Sequence, residues 1–180
     1  MRSVKIFIFL LFFILPLFLS ETFSFSVDAQ LHFGNKSLAE EDWAPVDNQV
    51  LTGIALTFSF GRFPLELALE YFTGSGSGQL LFLELASKTS ELNIGLQKTL
   101  TLINRLDFFL RGGLSVITGE LSCVDIFSVS DSAYGFWFRT GFTFSFTKRL
   151  GLGLAVGSSS GKITLFNTEG EAGGFSASLF

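Results

Sequence analysis

Cysteine, histidine and proline are scarce in this 180-residue chain, which has one cysteine, one histidine and three prolines. A lone Cys123 excludes an intramolecular disulfide, and it lies too far along the chain to carry a lipid anchor behind a leader. One histidine, His32, and one cysteine rule against a metal site of His and Cys ligands. Charge is thin as well: Lys and Arg total 12 and Asp and Glu 16. No stretch of Lys and Arg is present, which sets aside a nucleic-acid role. No cofactor is expected. The one long apolar run, Ile6 to Leu19, is broken by Pro16 and falls short of the about 20 residues that a spanning helix needs.

That run follows Arg2 and Lys5, so residues 1–20 have the basic and apolar regions of an export signal. Cleavage is expected in the interval Ser20 to Ser24, with an uncleaved signal anchor as the alternative. The remainder, residues 21–180, is roughly 155 to 160 residues after cleavage, enough for one domain.

What the chain has in quantity is phenylalanine, 24 residues, and glycine, 19. Both fall in a pattern of period two. Phe23, Phe25, Val27, Ala29, Leu31 and Phe33 alternate with Ser24, Ser26, Asp28, Gln30 and His32, which places the apolar groups on one face of a strand. The same writing recurs in Ile54 to Phe60, Leu65 to Tyr71, Leu92 to Leu102, Leu106 to Val116, Tyr134 to Phe146, Leu150 to Val156 and the closing Phe175 to Leu179. Short reversals are expected at Gly61-Arg62, Ile103-Asn104-Arg105 and Thr147-Lys148-Arg149. Long segments are expected at Gly34 to Gln49, from Gly74 onward, at Thr118 to Asp131 and at Ser158 to Glu171. This alternation of long and short connections predicts an eight-stranded antiparallel up-and-down transmembrane β-barrel. The apolar patches Leu80 to Ala86 and Ile163 to Phe166 are read as strand extensions above the membrane; read as extra strands they would give ten.

Alternation alone also describes a soluble barrel, so the second face decides. In the second and seventh strands that face is Gly, Ala, Ser and Thr, which suits a narrow lumen and not a water-exposed exterior. Basic residues Arg62, Lys98, Arg105, Lys148 and Arg149 lie at or near the short turns, and most acids lie in the long segments.

On these features, with Arg111-Gly112-Gly113 leading into Leu114 to Val116 and an aromatic Phe180 at the end, the chain resembles the small eight-stranded outer-membrane β-barrels. That superfamily includes the OmpA transmembrane domain, OmpX, opacity-type and OmpW-like proteins. The leader and the strand pattern predict residence in a bacterial outer membrane as a monomer, and the alternation of long and short connections puts the short turns and both termini in the periplasm; the resemblance implies recognition by the insertion machinery through the strand ending at Phe180. Phe180 departs from the pattern, because Phe175, Ala177 and Leu179 share a phase that it breaks.

Four charges are expected in the lumen: Glu66, Glu70, Arg111 and Arg139. The two glutamates are four apart on one strand, roughly 13 Å at about 3.3 Å per residue. Counting from the nearest short turn suggests two cross-lumen pairs, Glu66 with Arg111 low and Glu70 with Arg139 higher, since a buried charge needs a partner. His32 is expected at the outer rim. A catalytic role for it, as in lipid A-modifying barrels, lacks a suitably spaced serine on its own strand. Glu40, Glu41, Asp42 and an exposed Trp43 are the loop contact candidates, and Cys123 is expected in an outer loop. The expected role is a surface structural or interaction protein, adhesin-like, and not an enzyme. A narrow channel or transporter of the OmpW type is the alternative, and a lipid A-modifying enzyme the third reading.

Overall fold

A computed structural model describes residues 24–61, 63–80, 83–123, 126–166 and 168–180. The leader, all but the last residue of its cleavage window, Phe23, Arg62 and Asp125 lie outside the described residues. Eight long strands close into a ring: β1 (Phe25–Ser37), β2 (Asn48–Phe60), β3 (Glu66–Leu80), β4 (Leu83–Ile103), β5 (Leu106–Cys123), β6 (Phe127–Ser145), β7 (Gly151–Ser160) and β10 (Gly174–Leu179). Each pairs antiparallel with its neighbour in sequence. The ring closes where β1 meets β10, with Phe33 opposite Leu179 and Ser37 opposite Phe175. Between β7 and β10 a separate hairpin, β8 (Lys162–Leu165) and β9 (Thr168–Glu171), folds away from the wall, and a single helical turn, α1 (Glu40–Trp43), interrupts the β1–β2 connection.

The alternation read from the sequence is the alternation of the wall. Phe33, Leu114 and Leu154 point outward and are each about 60% exposed, whereas Gln30, Arg111 and Ala155 of the same strands are buried inside. An outward band of Phe, Leu, Ile and Val on this scale is far larger than any apolar patch a water-soluble monomer carries, so lipid is its solvent. Every strand of the ring pairs with a neighbour on either side, which satisfies the backbone without water along the ladders; the closing β1–β10 ladder covers Phe33 to Ser37, whereas β1 pairs with β2 from Phe25 onward.

Above the band the outward positions turn polar: Asn35 on β1, Thr73 on β3, Ser90 on β4, Thr118 and Ser132 on β5 and β6, and Ser158 on β7. Some of these hydroxyls bond across strands, Thr52 to Thr73 at 3.1 Å and Thr118 to Ser132 at 2.8 Å.

Three expectations are corrected. Gly74 to Gly78 is not a loop but the upper part of β3, paired with β4 up to Leu80 opposite Leu83. Thr118 to Asp131 likewise is mostly strand, because β5 and β6 pair as far as Cys123 opposite Phe127. The outward residues of these continuations are polar, so an apolar alternation does not mark them. The Ile163 to Phe166 patch extends no wall strand; it belongs to the β8–β9 hairpin, whose Ile163 is buried.

The turns at the other end are tight. Gly61 takes a left-handed conformation, φ 53°, at the start of the β2–β3 reversal, where a side chain would be strained.

Candidate functional site

The lumen is filled in tiers. At the short-turn end it opens as a vestibule of about 570 Å³, whose polar lining includes Asp28, Glu66, Gln97 and Asp107, with Lys148 and Arg149 among its residues. Glu66 accepts hydrogen bonds from Ser59 Oγ at 3.0 Å, Gln97 Nε2 at 2.8 Å and Thr99 Oγ1 at 2.8 Å.

The middle tier is ionic. Arg111 and Arg139 stand directly opposite one another on β5 and β6. Two like charges at such a pair repel, and one carboxylate answers both. Arg111 Nη1 donates to Glu70 Oε1 at 2.8 Å, and Arg139 Nη1 lies 3.4 Å from Glu70 Oε2, an ionic contact without hydrogen-bond alignment. Gln30 Oε1 accepts from Arg111 Nη2 at 2.8 Å, and Ser176 Oγ accepts from Arg139 Nη2 at 3.3 Å. The guanidiniums lie over aromatic faces, Arg111 4.1 Å from the Phe109 centroid and Arg139 3.9 Å from that of Phe72.

Two expected pairs are therefore one triad. Glu70 takes both arginines, and the expected Glu66–Arg111 pair does not form, Glu66 being bonded to Ser59, Gln97 and Thr99 instead. Counting residues from the nearest turn treats the strands as upright. In a barrel they tilt and stagger, and a side chain as long as arginine crosses between tiers.

His32 is not at the rim but fully buried beside this tier. Its Nδ1 lies 3.0 Å from Ser178 Oγ, and its ring sits 4.7 Å from that of Phe180 and 5.2 Å from that of Phe72. Ser178 is far from His32 in sequence and reaches it only because β1 and β10 close the ring. Phe180, out of phase with the lipid-facing residues, turns its ring inward and also meets Phe109 at 5.8 Å.

An upper tier, which the apolar alternation does not announce, is built on Lys36 and Glu91. Lys36 Nζ donates to Glu91 Oε1 at 2.7 Å, Thr89 Oγ1 at 3.3 Å and the Ala172 carbonyl at 3.0 Å, and Ser159 Oγ donates to the same Glu91 oxygen at 2.7 Å. Both residues are buried. The phase carried the information: Lys36 continues the inward series of Gln30 and His32, and Glu91 that of Asn93 and Gln97.

Over the upper tier sits an apolar cap of Leu38, Trp43, Val46, Leu85, Ile117, Cys123, Ile163 and Ala172. Trp43 is 3% exposed, which corrects the expectation of an exposed aromatic, and its indole N–H donates to the Glu171 carbonyl at 2.8 Å. Cys123 is buried in the same cap and not displayed in a loop. Asp42 Oδ2 accepts the Glu171 N–H at 2.8 Å, whereas Glu40 and Glu41 are exposed. Among the described residues no group of three or more His, Cys, Asp or Glu is placed to hold a metal ion. The β8–β9 hairpin is tethered to the wall by Asp131 Oδ2, which accepts the Thr164 N–H at 2.7 Å; N–H groups of Thr164 and Ser132 hold this carboxyl below the usual carboxylate range.

Neither protein-family models nor curated protein sequences match the chain. Solved structures do. Neisserial surface protein A shares 15% identity over 88% of this chain and 97% of its own, with a TM-score of 0.54. The attachment invasion locus protein Ail of Yersinia pestis shares 10% identity over 87% of this chain and 97% of its own, with a TM-score of 0.46. At such identities the likeness is one of fold. The chain is a transmembrane β-barrel with the eight-stranded fold of the small outer-membrane barrels.

Proposed function

We propose that the protein is an integral, monomeric outer-membrane barrel that displays its capped end at the cell surface as a rigid interaction platform and does not conduct. The observation that carries this reading is the filled lumen. Among the described residues the Glu70–Arg111–Arg139 triad, the Lys36–Glu91 pair and the apolar cap succeed one another along the axis beyond the vestibule.

In this reading the short turns and both termini face the periplasm. The cap, the acidic Glu40 and Glu41 and the projecting β3–β4 and β5–β6 hairpins face outward. Burial makes Trp43 a brace for this surface, leaving contact to exposed neighbours. Recognition by the insertion machinery rests on the lipid-facing Phe175, Ala177 and Leu179, with Phe180 packing inside. A surface role agrees with the name of Neisserial surface protein A.

Single-channel recording in a planar bilayer tests the plug: discrete, reproducible conductance steps from the native barrel would overturn it. The vestibule favours a second reading, a narrow path for small solutes, which the same recording would expose. His32 and Ser178 speak against lipid chemistry, because both are turned into the sealed lumen and away from the acyl chains.

A further inference from the structure

The wall is not paired over its whole height. The β1–β10 ladder begins at Phe33 opposite Leu179, and among the described residues no strand pairs with β1 from Phe25 to Leu31 on its β10 side. On the far side of β10, β7 pairs with it from Leu154 upward and meets Phe180 at Gly153, so Gly151 and Leu152 lie below that ladder. Paired strands stand about 4.8 Å apart, so a stretch without the strand between β1 and β7 is a seam about 10 Å wide.

The lining of the vestibule follows the same seam. In a continuous wall only every second residue faces the lumen. Here four consecutive residues of β1, Val27, Asp28, Ala29 and Gln30, line the vestibule, and Leu150 and Gly151 line it from the other edge. Val27 and Leu150 are also exposed on the outside, 50% and 69%. The vestibule of about 570 Å³ therefore opens sideways between apolar edges as well as past the short turns.

Its charges are sorted by position. Glu66 is bonded only by neutral donors, and among the described residues neither it nor Asp107 is in an ion pair. Asp28 is less available, because its charge acts on Arg111. The two cations of the lining, Lys148 and Arg149, are exposed in the β6–β7 turn, next to Leu150 at the edge of the seam. Carboxylates on the inner wall, cations at the mouth and an apolar exit beside the cations match the order of groups in one kind of amphiphile.

We propose that the vestibule and its seam bind a single phospholipid with a primary-ammonium head group, drawn from the adjoining leaflet. The ammonium donates to Glu66 and Asp107, the phosphate stays at Lys148 and Arg149, and the acyl chains leave through the seam past Val27, Ala29 and Leu150. Backbone N–H groups on the free edge of β1 gain acceptors in the phosphate and ester oxygens, which hydrocarbon does not offer. A choline head group has no N–H to donate, and a glycerol head group has no positive charge. The proposed orientation decides only that the periplasmic leaflet supplies the lipid; the site itself rests on neither that orientation nor the plug.

Native mass spectrometry of the purified barrel in detergent, titrated with phosphatidylethanolamine, phosphatidylcholine and phosphatidylglycerol of identical chains, tests the site. One saturable copy of phosphatidylethanolamine should bind about tenfold tighter than either other lipid, the scale of a hydrogen bond to a charged group. Glu66→Gln combined with Asp107→Asn should abolish the preference over phosphatidylcholine and strengthen phosphatidylglycerol binding. Lys148→Gln combined with Arg149→Gln, both in an exposed turn, should weaken all three lipids alike. Equal affinities in the native protein, the pattern of lipid coating the wall without a site, would overturn the proposal, and so would a preference that survives replacement of both carboxylates. Conductance is not read in this assay, so failure of the lipid site and failure of the plug are told apart.

Discussion

Trp43 and Glu171, 128 positions apart in sequence, are joined by an indole N–H that donates to the backbone carbonyl at 2.8 Å. The bond ties α1 to β9, and the indole body fills the centre of the apolar cap. Trp43→Ala should cost about 3 to 5 kcal/mol in cap stability, the usual loss for a buried aromatic. The wall does not depend on it. Limited proteolysis should therefore cut within 38–47 or 161–173 while the heat-modifiable gel mobility of the closed barrel persists; loss of both together would show that cap and wall form one cooperative unit.

Cys123 provides a reporter of the same cap. It is 4% exposed, so a membrane-impermeant maleimide should leave the native protein unlabelled on intact cells and should label the Trp43→Ala variant. In a Cys123→Ser background, Glu41→Cys should label on intact cells and Asn104→Cys only after the outer membrane is permeabilised. Labelling of Asn104→Cys but not Glu41→Cys would invert the proposed orientation.

Glu70 and Glu66 separate a buried charge from a hydrated one. Glu70→Gln removes the one carboxylate that contacts both guanidiniums and should cost about 3 to 5 kcal/mol in urea unfolding. Glu66→Gln keeps hydrogen-bonding capacity in the polar vestibule and should cost less than about 1 kcal/mol. Adding Arg139→Met to Glu70→Gln should recover part of the loss, and strictly additive losses would disprove the triad.

These contrasts mark where the sequence stopped being informative. Strand count and the inward phase of Glu70, Arg111 and Arg139 follow from period two, a local property. Which carboxylate meets which guanidinium depends on tilt and stagger around the closed ring, a global one. The same holds for His32, whose partner Ser178 is brought to it by ring closure. Trp43 misled because a polar run of loop residues is written identically whether it floats or folds back over the barrel. Lys36 and Glu91 were legible in phase, but the apolar marks on their strands had ended.

Asp131 carries a pH dependence with a definite sign. Its carboxyl is held below the ordinary range by the N–H groups of Thr164 and Ser132. A depressed folded value means that the tether is fully present above the ordinary carboxylate range and is lost as pH falls through the lowered value. Hydrogen exchange at the Thr164 amide, corrected for intrinsic rate, should speed up across that acid window. In Asp131→Asn the protection should lack this pH dependence; an unchanged profile in the variant would assign the titration elsewhere.

Gly153 and Phe180 exchange backbone hydrogen bonds, Gly153 N–H to the Phe180 carbonyl at 2.7 Å and Phe180 N–H to the Gly153 carbonyl at 3.0 Å. The Phe180 ring then lies over Gly153, where a Cβ would collide with it. The missing side chain on β7 is thus what lets an aromatic of the wrong phase turn inward and pack on His32 and Phe109. Gly153→Val should evict the ring and destabilise the barrel by about 1 to 3 kcal/mol, the range for overpacking. Phe180→Ala opens space instead and should cost about 3 to 5 kcal/mol. The double variant should be more stable than the sum of the two losses predicts, because the valine enters the space the ring has left. Urea unfolding of all four proteins checks this, and simple additivity would mean that glycine at 153 serves strand geometry and not the ring of Phe180.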